Sequence, residues 1–292
     1  MEQKQLKYTI KIYGEGYTEW FYFDYLRVNN KFKFTVEPDM PDGSKSSYKK
    51  RLKLIDAELK KNIQERANAI FLITDLDNIK SDKKEFEEYK SKKELYKRRG
   101  VLFIESHPCI ELWFLYHHWE KFDKTSFRTY DEIKRALQRF LPTYEKNEFY
   151  YRKNKLFREK IMASMSNRKN AILNGIKSCK YEAEEQEICN YSEMFKALHF
   201  FRLLKKFCEL DSIIKEKQRE RINLSIDIQD HRLMKIMYKE KIICIFKYDE
   251  KGTLKLIINN EEAIDIQDDI PLAYSQKYVD LILCQIQEID NK

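Results

Sequence analysis

The chain reads as an α/β fold, a parallel, Rossmann-like sheet flanked by helices, with a helical extension and a small C-terminal α+β segment. Three observations predict it. Over the first 120 residues short apolar runs alternate with helix-period stretches, the pattern of parallel strands joined by crossover helices. Ala69–Thr74 is apolar without a break, as a central strand buried on both faces requires. Three of the runs end in carboxylates, and the carboxyl ends of parallel strands are where open sheets of this kind bind ligands.

Tyr8–Tyr13 gives the first strand, and Thr18–Asn29 a helix with Thr18 as N-cap. Phe32–Glu37 reads as the second strand, and Pro38–Ser47, with Pro41 and Gly43, as a loop. Ser47–Ala67 carries helical spacing through Tyr48, Leu52, Ile55 and Leu59. After Ala69–Thr74, Lys83–Arg99 forms a charged helix closed by Gly100. Val101–Ile104 is the fourth strand, with Pro108 at the first position of the next helix. Residues 121–225 read as helical, with apolar spacing in 131–141, 156–176 and 191–216. In 226–292 the segments Leu233–Tyr238, Ile242–Tyr248 and Leu254–Ile258 are β-like, Asp249–Gly252 signals a hairpin turn, and Leu272–Ile289 is an amphipathic helix. The expected organisation is a core in 1–120, an extension completing it in 121–225, and a separate segment in 226–292.

At 292 residues the chain is long enough for a real hydrophobic core. Its 42% apolar content, with 19 Tyr and 18 Phe, excludes a disordered chain despite 36% charged residues. No apolar run approaches the roughly 20 residues that span a bilayer, so no membrane partner is expected. Met1–Lys7 is charged with no apolar signal core behind it. Six cysteines (109, 179, 189, 208, 244 and 284) form no CxxC pair and read as reduced thiols, so the expected location is cytoplasmic. The net charge of +8 is uneven. Residues 121–225 hold 24 Lys and Arg against 15 Asp and Glu, whereas 226–292 hold 9 against 13. A basic middle third suits a polyanionic substrate; the plainer alternative is a set of solvated helix faces.

The strand-end carboxylates are Glu15 in Gly14-Glu15-Gly16-Tyr17-Thr18-Glu19, Asp75 and Asp77 in Asp75-Leu76-Asp77-Asn78, and Glu111 in Ser106-His107-Pro108-Cys109-Ile110-Glu111. Crowded into one crevice they repel unless neutralised, and the simplest neutraliser for clustered oxygens is a hard divalent cation, Mg²⁺ first, then Mn²⁺ or Ca²⁺. Gly14 and Gly16 allow a tight turn beside Glu15. Asp75 and Asp77, two apart, project to one side of an extended segment. Each position has a plainer alternative: a surface turn for Glu15, an acidic loop for Asp75 and Asp77, and helix-dipole or capping charges for Glu19 and Glu111. His107 and Glu111 have zinc-pair spacing but no evident third ligand. His117 and His118 read as packing or capping residues. Arg152, Lys153, Lys155 and Arg158, interleaved with Tyr150, Tyr151 and Phe157, suit either phosphate contact with base stacking or aromatic helix packing.

The ordered motifs GEG-x-TE, an apolar strand ending in DxDN, and S-x-PC-x-E-x-W-x-L resemble the RloB-like family. The resemblance runs from Ile12 to about His118 and more weakly through Leu141–Lys146 and Asn190–Met194. It departs at His107, where Asn is common, and at Ile110, where Phe is common; residues beyond about 226 find no counterpart. The resemblance implies a Toprim-type catalytic domain in an anti-phage or abortive-infection system. There Glu15 is general acid/base or metal ligand, Glu111 points an acid at the metal, and Lys146 matches a lysine that assists phosphodiester chemistry. It also implies a separately encoded ABC-type ATPase, and the chain itself has no GxxxxGK[ST] loop.

The resulting expectation is a Mg²⁺-dependent endonuclease acting on DNA or RNA, tRNA included. Glu15, Asp75, Asp77, Glu111 and Lys146 would be catalytic, with Glu15, Glu19, Asp75, Asp77 and Glu111 on metal. The alternatives are a Toprim-fold nucleotidyl transferase and a non-catalytic sensor or interaction subunit. The acidic tail in 226–292 would serve assembly, docking the ATPase or a second copy in a homodimer.

Overall fold

A computed structural model describes residues 8–41, 47–184, 190–218, 222–259, 263–267, 270–274 and 276–291. The Met1–Lys7 segment, Gly43 with most of its loop, and Cys189 lie outside the described residues. The chain divides into two units, Met1–Phe195 and Lys196–Lys292.

The first unit runs β1 (Thr9–Tyr13), α1 (Tyr17–Asn30), β2 (Thr35–Pro38), α2 (Tyr48–Leu59), β3 (Ala69–Asp75), α3 (Asp77–Ser81), α4 (Lys83–Lys97), β4 (Val101–His107) and α5 (Glu111–Tyr116). Then come α6 (Tyr130–Gln138), α7 (Glu148–Lys153), α8 (Lys155–Phe157), a π-helical turn Arg158–Ala163, α9 (Met165–Glu184) and β5 (Tyr191–Ser192). The strand order is β2-β1-β3-β4-β5; the first four are parallel and β5 is antiparallel to β4. β3 sits at the centre, and six of its seven residues are buried, which its unbroken apolar sequence anticipates. Because β1, β3 and β4 run the same way, their carboxyl ends share one rim of the sheet.

Several boundaries differ from the sequence reading. The second strand begins at Thr35, where Thr35 N–H bonds the Tyr8 carbonyl. The preceding Lys31 closes α1 in the left-handed region, and Phe32 and Phe34 stack on each other instead of joining the sheet. α2 stops at Leu59, not Ala67: past it Ile63 is exposed, so no apolar face continues the helix. β4 extends through His107 because its pairing with β3 runs to Ser106 and with β5 to His107. Pro108 is therefore not the first helical residue; α5 opens at Glu111 behind Ile110. The extension is broken into short helices because Thr129, Asn147 and Asn154 each accept backbone N–H bonds as caps.

α10 (Met194–Gln218) crosses the division between the units. The second unit continues with β6 (Ser225–Asp230), β7 (Leu233–Tyr238), β8 (Lys241–Tyr248), β9 (Leu254–Ile257), β10 (Ile264–Ile266), a 3₁₀ turn Leu272–Tyr274 and α11 (Gln276–Asp290). Its strands form an antiparallel sheet in the order β10-β9-β8-β7-β6. The alternation of Met234, Ile236 and Tyr238 inward with half-buried neighbours is the expected period of two. β6 and β10 escape the sequence reading because Ser225–Asp230 and Ile264–Ile266 carry acidic residues among their apolar positions.

Candidate active site

A cleft of about 850 Å³ opens on the first unit, lined by Glu15, Glu19, Asp75, Asp77 and Lys146 among others. β1 delivers Glu15, the first turn of α1 delivers Glu19, and the end of β3 delivers Asp75 and Asp77. Glu111 is fully buried and reached through Lys146. The Lys146 Nζ stands 3.4 Å from Asp75 Oδ2 and 3.2 Å from Glu111 Oε1, bridging acids from two strand ends. Five carboxylates and one cation, separated by up to 131 residues in sequence, are thus brought to one rim.

Each acid is held differently. Asp75 Oδ1 accepts the Ile110 N–H at 2.8 Å, and Leu76 N–H and Asp77 N–H bond the Ser106 and Pro108 carbonyls. These bonds lock the end of β3 to the segment that leads into α5. Asp77 turns back on its own helix and accepts the Asn78 N–H at 2.6 Å. Glu19 accepts the Gly16 N–H at 2.9 Å, so it caps α1 as well as lining the cleft. Thr18 is not the cap, as the sequence suggests; Gly16 holds that position, and the buried Thr18 hydroxyl accepts from Tyr151 at 3.0 Å. Gly14 is needed for a different reason than expected: a Cβ there would lie 2.4 Å from Glu19 Cβ, so the glycine makes room for Glu19 itself. Gly16 is extended at φ −159, a conformation open to any residue.

The electrostatics record the crowding. Burial, then the Asp75 and Glu19 carboxylates, push the Glu15 acid well above the ordinary range, and its Oε1 is buried with no hydrogen-bond partner. Asp75 is likewise pushed well up, by burial and then by Glu19, Glu111 and Asp77, against the pull of Lys146. Glu19 is raised by burial, with Lys146 and two backbone bonds opposing. Burial alone would lower the Lys146 ammonium, but Glu111, Asp75 and Glu19 together hold it well above its usual value.

Three hydroxyls that the sequence reading missed support Glu111. Tyr144 O–H donates to Glu111 Oε1 at 3.0 Å and lies 2.7 Å from Tyr151 O, which donates to Thr18. The signal was present, since Tyr144 and Lys146 share the Leu141–Lys146 segment, but a buried tyrosine reads as core. Other candidates disperse. His107 packs near Tyr191 with its imidazole pushed down to about 4 by burial and Lys80, while Glu111 turns to Tyr144 and Lys146, so the zinc spacing forms no pair. His117 bonds the Trp113 carbonyl and His118 stacks on Phe140. Tyr150, Tyr151 and Phe157 are buried in mutual ring contacts, and Arg152 pairs with Glu148. The aromatic rings of that stretch therefore serve packing rather than base stacking.

Fold and site together define an open α/β domain with an acidic cleft at its strand ends, bridged by one lysine. The chain belongs to the RloB-like protein family, whose model matches residues 10–216 and so contains every residue of the cleft. No curated protein and no solved structure matches the chain. Among the described residues no helix is long and apolar enough to cross a membrane.

Proposed function

We propose that this protein is a metal-dependent Toprim nuclease that cleaves phosphodiester bonds in DNA or RNA, tRNA included. We place it as the effector of an anti-phage system with a separately encoded ABC-type ATPase. The observation that carries the reading is the convergence of Glu15, Glu19, Asp75 and Glu111 on one rim, with their repulsion only partly relieved by Lys146. A retired site has no physical reason to keep that strain.

The donor set is all oxygen, and the orphaned Glu15 Oε1 is an acceptor in want of a positive partner, which fits a hard cation. Among the described residues no three such side chains stand as a ready ligand group. Glu19 is engaged by Gly16, Asp77 by Asn78, and Lys146 occupies the gap between Asp75 and Glu111. Glu15, Asp75 and Glu111, with Glu19 and Asp77 at the edge, are the residues that would hold Mg²⁺ or Mn²⁺. The ion would supply water activation and neutralise charge on the leaving oxygen. Lys146, drawn off its carboxylates, is placed to stabilise charge on a non-bridging oxygen. Asp75, through the Ile110 N–H, fixes the two strand ends relative to each other.

The test is expression of the chain with its operon partner, carrying Glu15→Gln or Asp75→Asn, followed by inspection of total DNA and RNA and of purified protein with Mg²⁺. Breaks lost in both variants support the reading; near wild-type cleavage by both overturns the assignment of these carboxylates, and the absence of breaks with the unsubstituted protein overturns the nuclease reading itself.

A further inference from the structure

Thirteen residues, 117–129, pass without helix or strand between the end of α5 at Tyr116 and the start of α6 at Tyr130. An irregular loop of that length is uncommon in a packed domain and usually has a task. Two buried amides hold it in place. Asn174 donates to the Tyr116 and Trp119 carbonyls at 3.2 and 2.7 Å, and Asn190 both accepts the Phe127 N–H and donates to the Phe127 carbonyl. The loop so fixed walls a second cavity in the first unit, of about 190 Å³. Buried Leu112 and Tyr116 line it with half-buried Trp119, Phe122 and Tyr181, and exposed Asp123 and Lys124 complete the lining.

Size and lining select the ligand. The volume is well above the ~15 Å³ that admits one water and below the ~300 Å³ of pockets that enclose a drug-sized molecule whole. One flat ring system fits, with the rest of its molecule left outside. Phe122 and Tyr181 stand edge to face, centroids 6.1 Å apart, and every nucleobase has a π-face that stacks on such rings. Thr125 N–H and O–H both bond Asp123 Oδ1, and Oδ2 has no partner among the described residues. A carboxylate accepts from the amino group of adenine or cytosine, where uracil and thymine present an acceptor oxygen. Lys124 Nζ already sits 4.1 Å from the Tyr181 ring centroid. An ammonium at that place argues against a cationic ligand and for one that carries phosphate.

The cavity lies on the same rim as the acids. Asn190, part of its lining, directly precedes β5, whose Tyr191 pairs with His107 at the carboxyl end of β4. Ser126 lines the cavity, and Tyr130, four residues on, lines the cleft with its ring centroid 5.5 Å from Lys146 Nζ. Four extended residues reach at most about 14 Å, so one nucleic acid strand can occupy both.

We infer that this cavity is a base pocket that takes one unpaired adenine or cytosine of the strand lying in the cleft. Phe122 and Tyr181 stack the base, Asp123 accepts its amino group and Lys124 meets its phosphate. A base inside a duplex has both faces and its pairing edge occupied, so the substrate class is single-stranded or looped nucleic acid. The inference rests on the proposed nuclease reading for the presence of a strand, but the pocket is tested by binding alone. Full-length Glu15→Gln protein is titrated by fluorescence polarisation with strands of about ten nucleotides, a length within the usual single-strand site sizes. The strands are adenine-only and either uracil- or thymine-only, as RNA and as DNA. The adenine strand should bind about tenfold tighter. Adding Asp123→Ala should bring it down to the affinity of the uracil or thymine strand and leave the latter unchanged. Tyr181→Ala should weaken both about tenfold, and Lys124→Gln should flatten the slope of log affinity against log salt by about 0.7, one phosphate contact on a single strand. If Tyr181→Ala does not fold, Asp123→Ala, on the exposed side of the loop, decides. Equal affinity for the two strands, a preference that survives Asp123→Ala, or no binding of either strand sinks the pocket. Adenosine monophosphate competing as strongly as the unlabelled adenine strand would give the pocket to a free nucleotide and overturn the strand assignment. No breaks from the unsubstituted protein, beside an Asp123-dependent preference, would instead overturn the nuclease reading and leave the pocket standing.

Discussion

Replacing Glu15 by Gln should stabilise the metal-free protein at alkaline pH. Glu15 Oε1 is buried without a partner, and Asp75 and Glu19 add repulsion to the desolvation of the ionised form. An unsatisfied buried polar group costs about 1–3 kcal/mol. Glu15 is half-buried rather than fully enclosed, so a gain near the lower end, about 1 kcal/mol, is expected. For a unit of this size that is a rise of roughly 2–4 °C in Tm.

The sign with pH is fixed by the raised acid. The folded form holds its Glu15 proton to higher pH than the unfolded chain, so wild-type stability is fully present below the unfolded value and is lost as pH rises through the folded one. The advantage of the variant should therefore be largest at pH 8–9 and vanish towards pH 4, where wild-type Glu15 is itself neutral. Glu58 moves the other way. Burial opposes its ionisation, but hydrogen bonds from Lys11 and Lys61 hold its acid down to about 2, so stability from that pair is lost as pH falls. That contribution is common to both proteins and cancels in the difference. Melts in chelator from pH 4 to 9, repeated with excess Mg²⁺, make the measurement; Mg²⁺ should raise the wild-type Tm more than the variant's. A variant destabilised equally at every pH would refute the argument, because Glu15 would then be held by bonds and not strained by charge.

Further outcomes follow from the same geometry. Asp75→Asn keeps an oxygen for the Ile110 N–H, so its melt should stay within about 1 kcal/mol of wild type while cleavage is lost; a large drop in stability would make Asp75 structural first. Lys146→Ala leaves Asp75 and the buried Glu111 without their counter-ion. Because the lysine is 36% exposed, metal-free destabilisation should be about 1–3 kcal/mol, below the full cost of an orphaned buried charge, and kcat should fall more than affinity. Tyr144→Phe removes a bond to a buried carboxylate and should cost about 1.5–3 kcal/mol in urea titrations; additivity with Tyr151→Phe would show that the hydroxyls are not coupled. Ending the chain after residue 225 removes Tyr248, on which the buried His199 of α10 stacks, and the Ile270 carbonyl that accepts from the buried Lys206, and should give aggregation; a monodisperse, folded product would show that the C-terminal sheet is dispensable for that helix.

Much of the sheet was legible because its signals are local. An apolar run such as Ala69–Thr74 admits few structures, and the acidic turns after β1, β3 and β4 mark strand ends directly. What escaped was set by tertiary partners. β5 is two residues long and exists because Ser106 and His107 need an edge partner. The end of β4 is decided by bonds to residues 76 and 77 across the rim, so Pro108, a helix opener by local rule, sits outside the helix. The same holds for the site. Glu15, Asp75 and Lys146 stood out as charges, whereas Tyr144, Tyr151 and Thr18 have value only through an acid that sequence distance conceals.

The geometry also recasts the extension after residue 120. The strands supply only acids, and acids gathered at one rim without a cation would open the sheet's end rather than close it. The ammonium that offsets them, and the hydroxyl that bonds the buried Glu111, come from Lys146 and Tyr144. Tyr144 O lies 2.7 Å from Tyr151 O on α7, and the Tyr151 O–H in turn donates to Thr18 at the start of α1. The loop is closed: β4 leads to Glu111, Glu111 to Tyr144, Tyr151 to Thr18, and Thr18 lies beside Glu19 in the cleft. A residue in the extension therefore sets the charge state and the position of acids on the sheet. The first 120 residues alone hold the carboxylates but not the site, and that is why Lys146 and Tyr144, although far from the strand motifs in sequence, belong to the same chemistry.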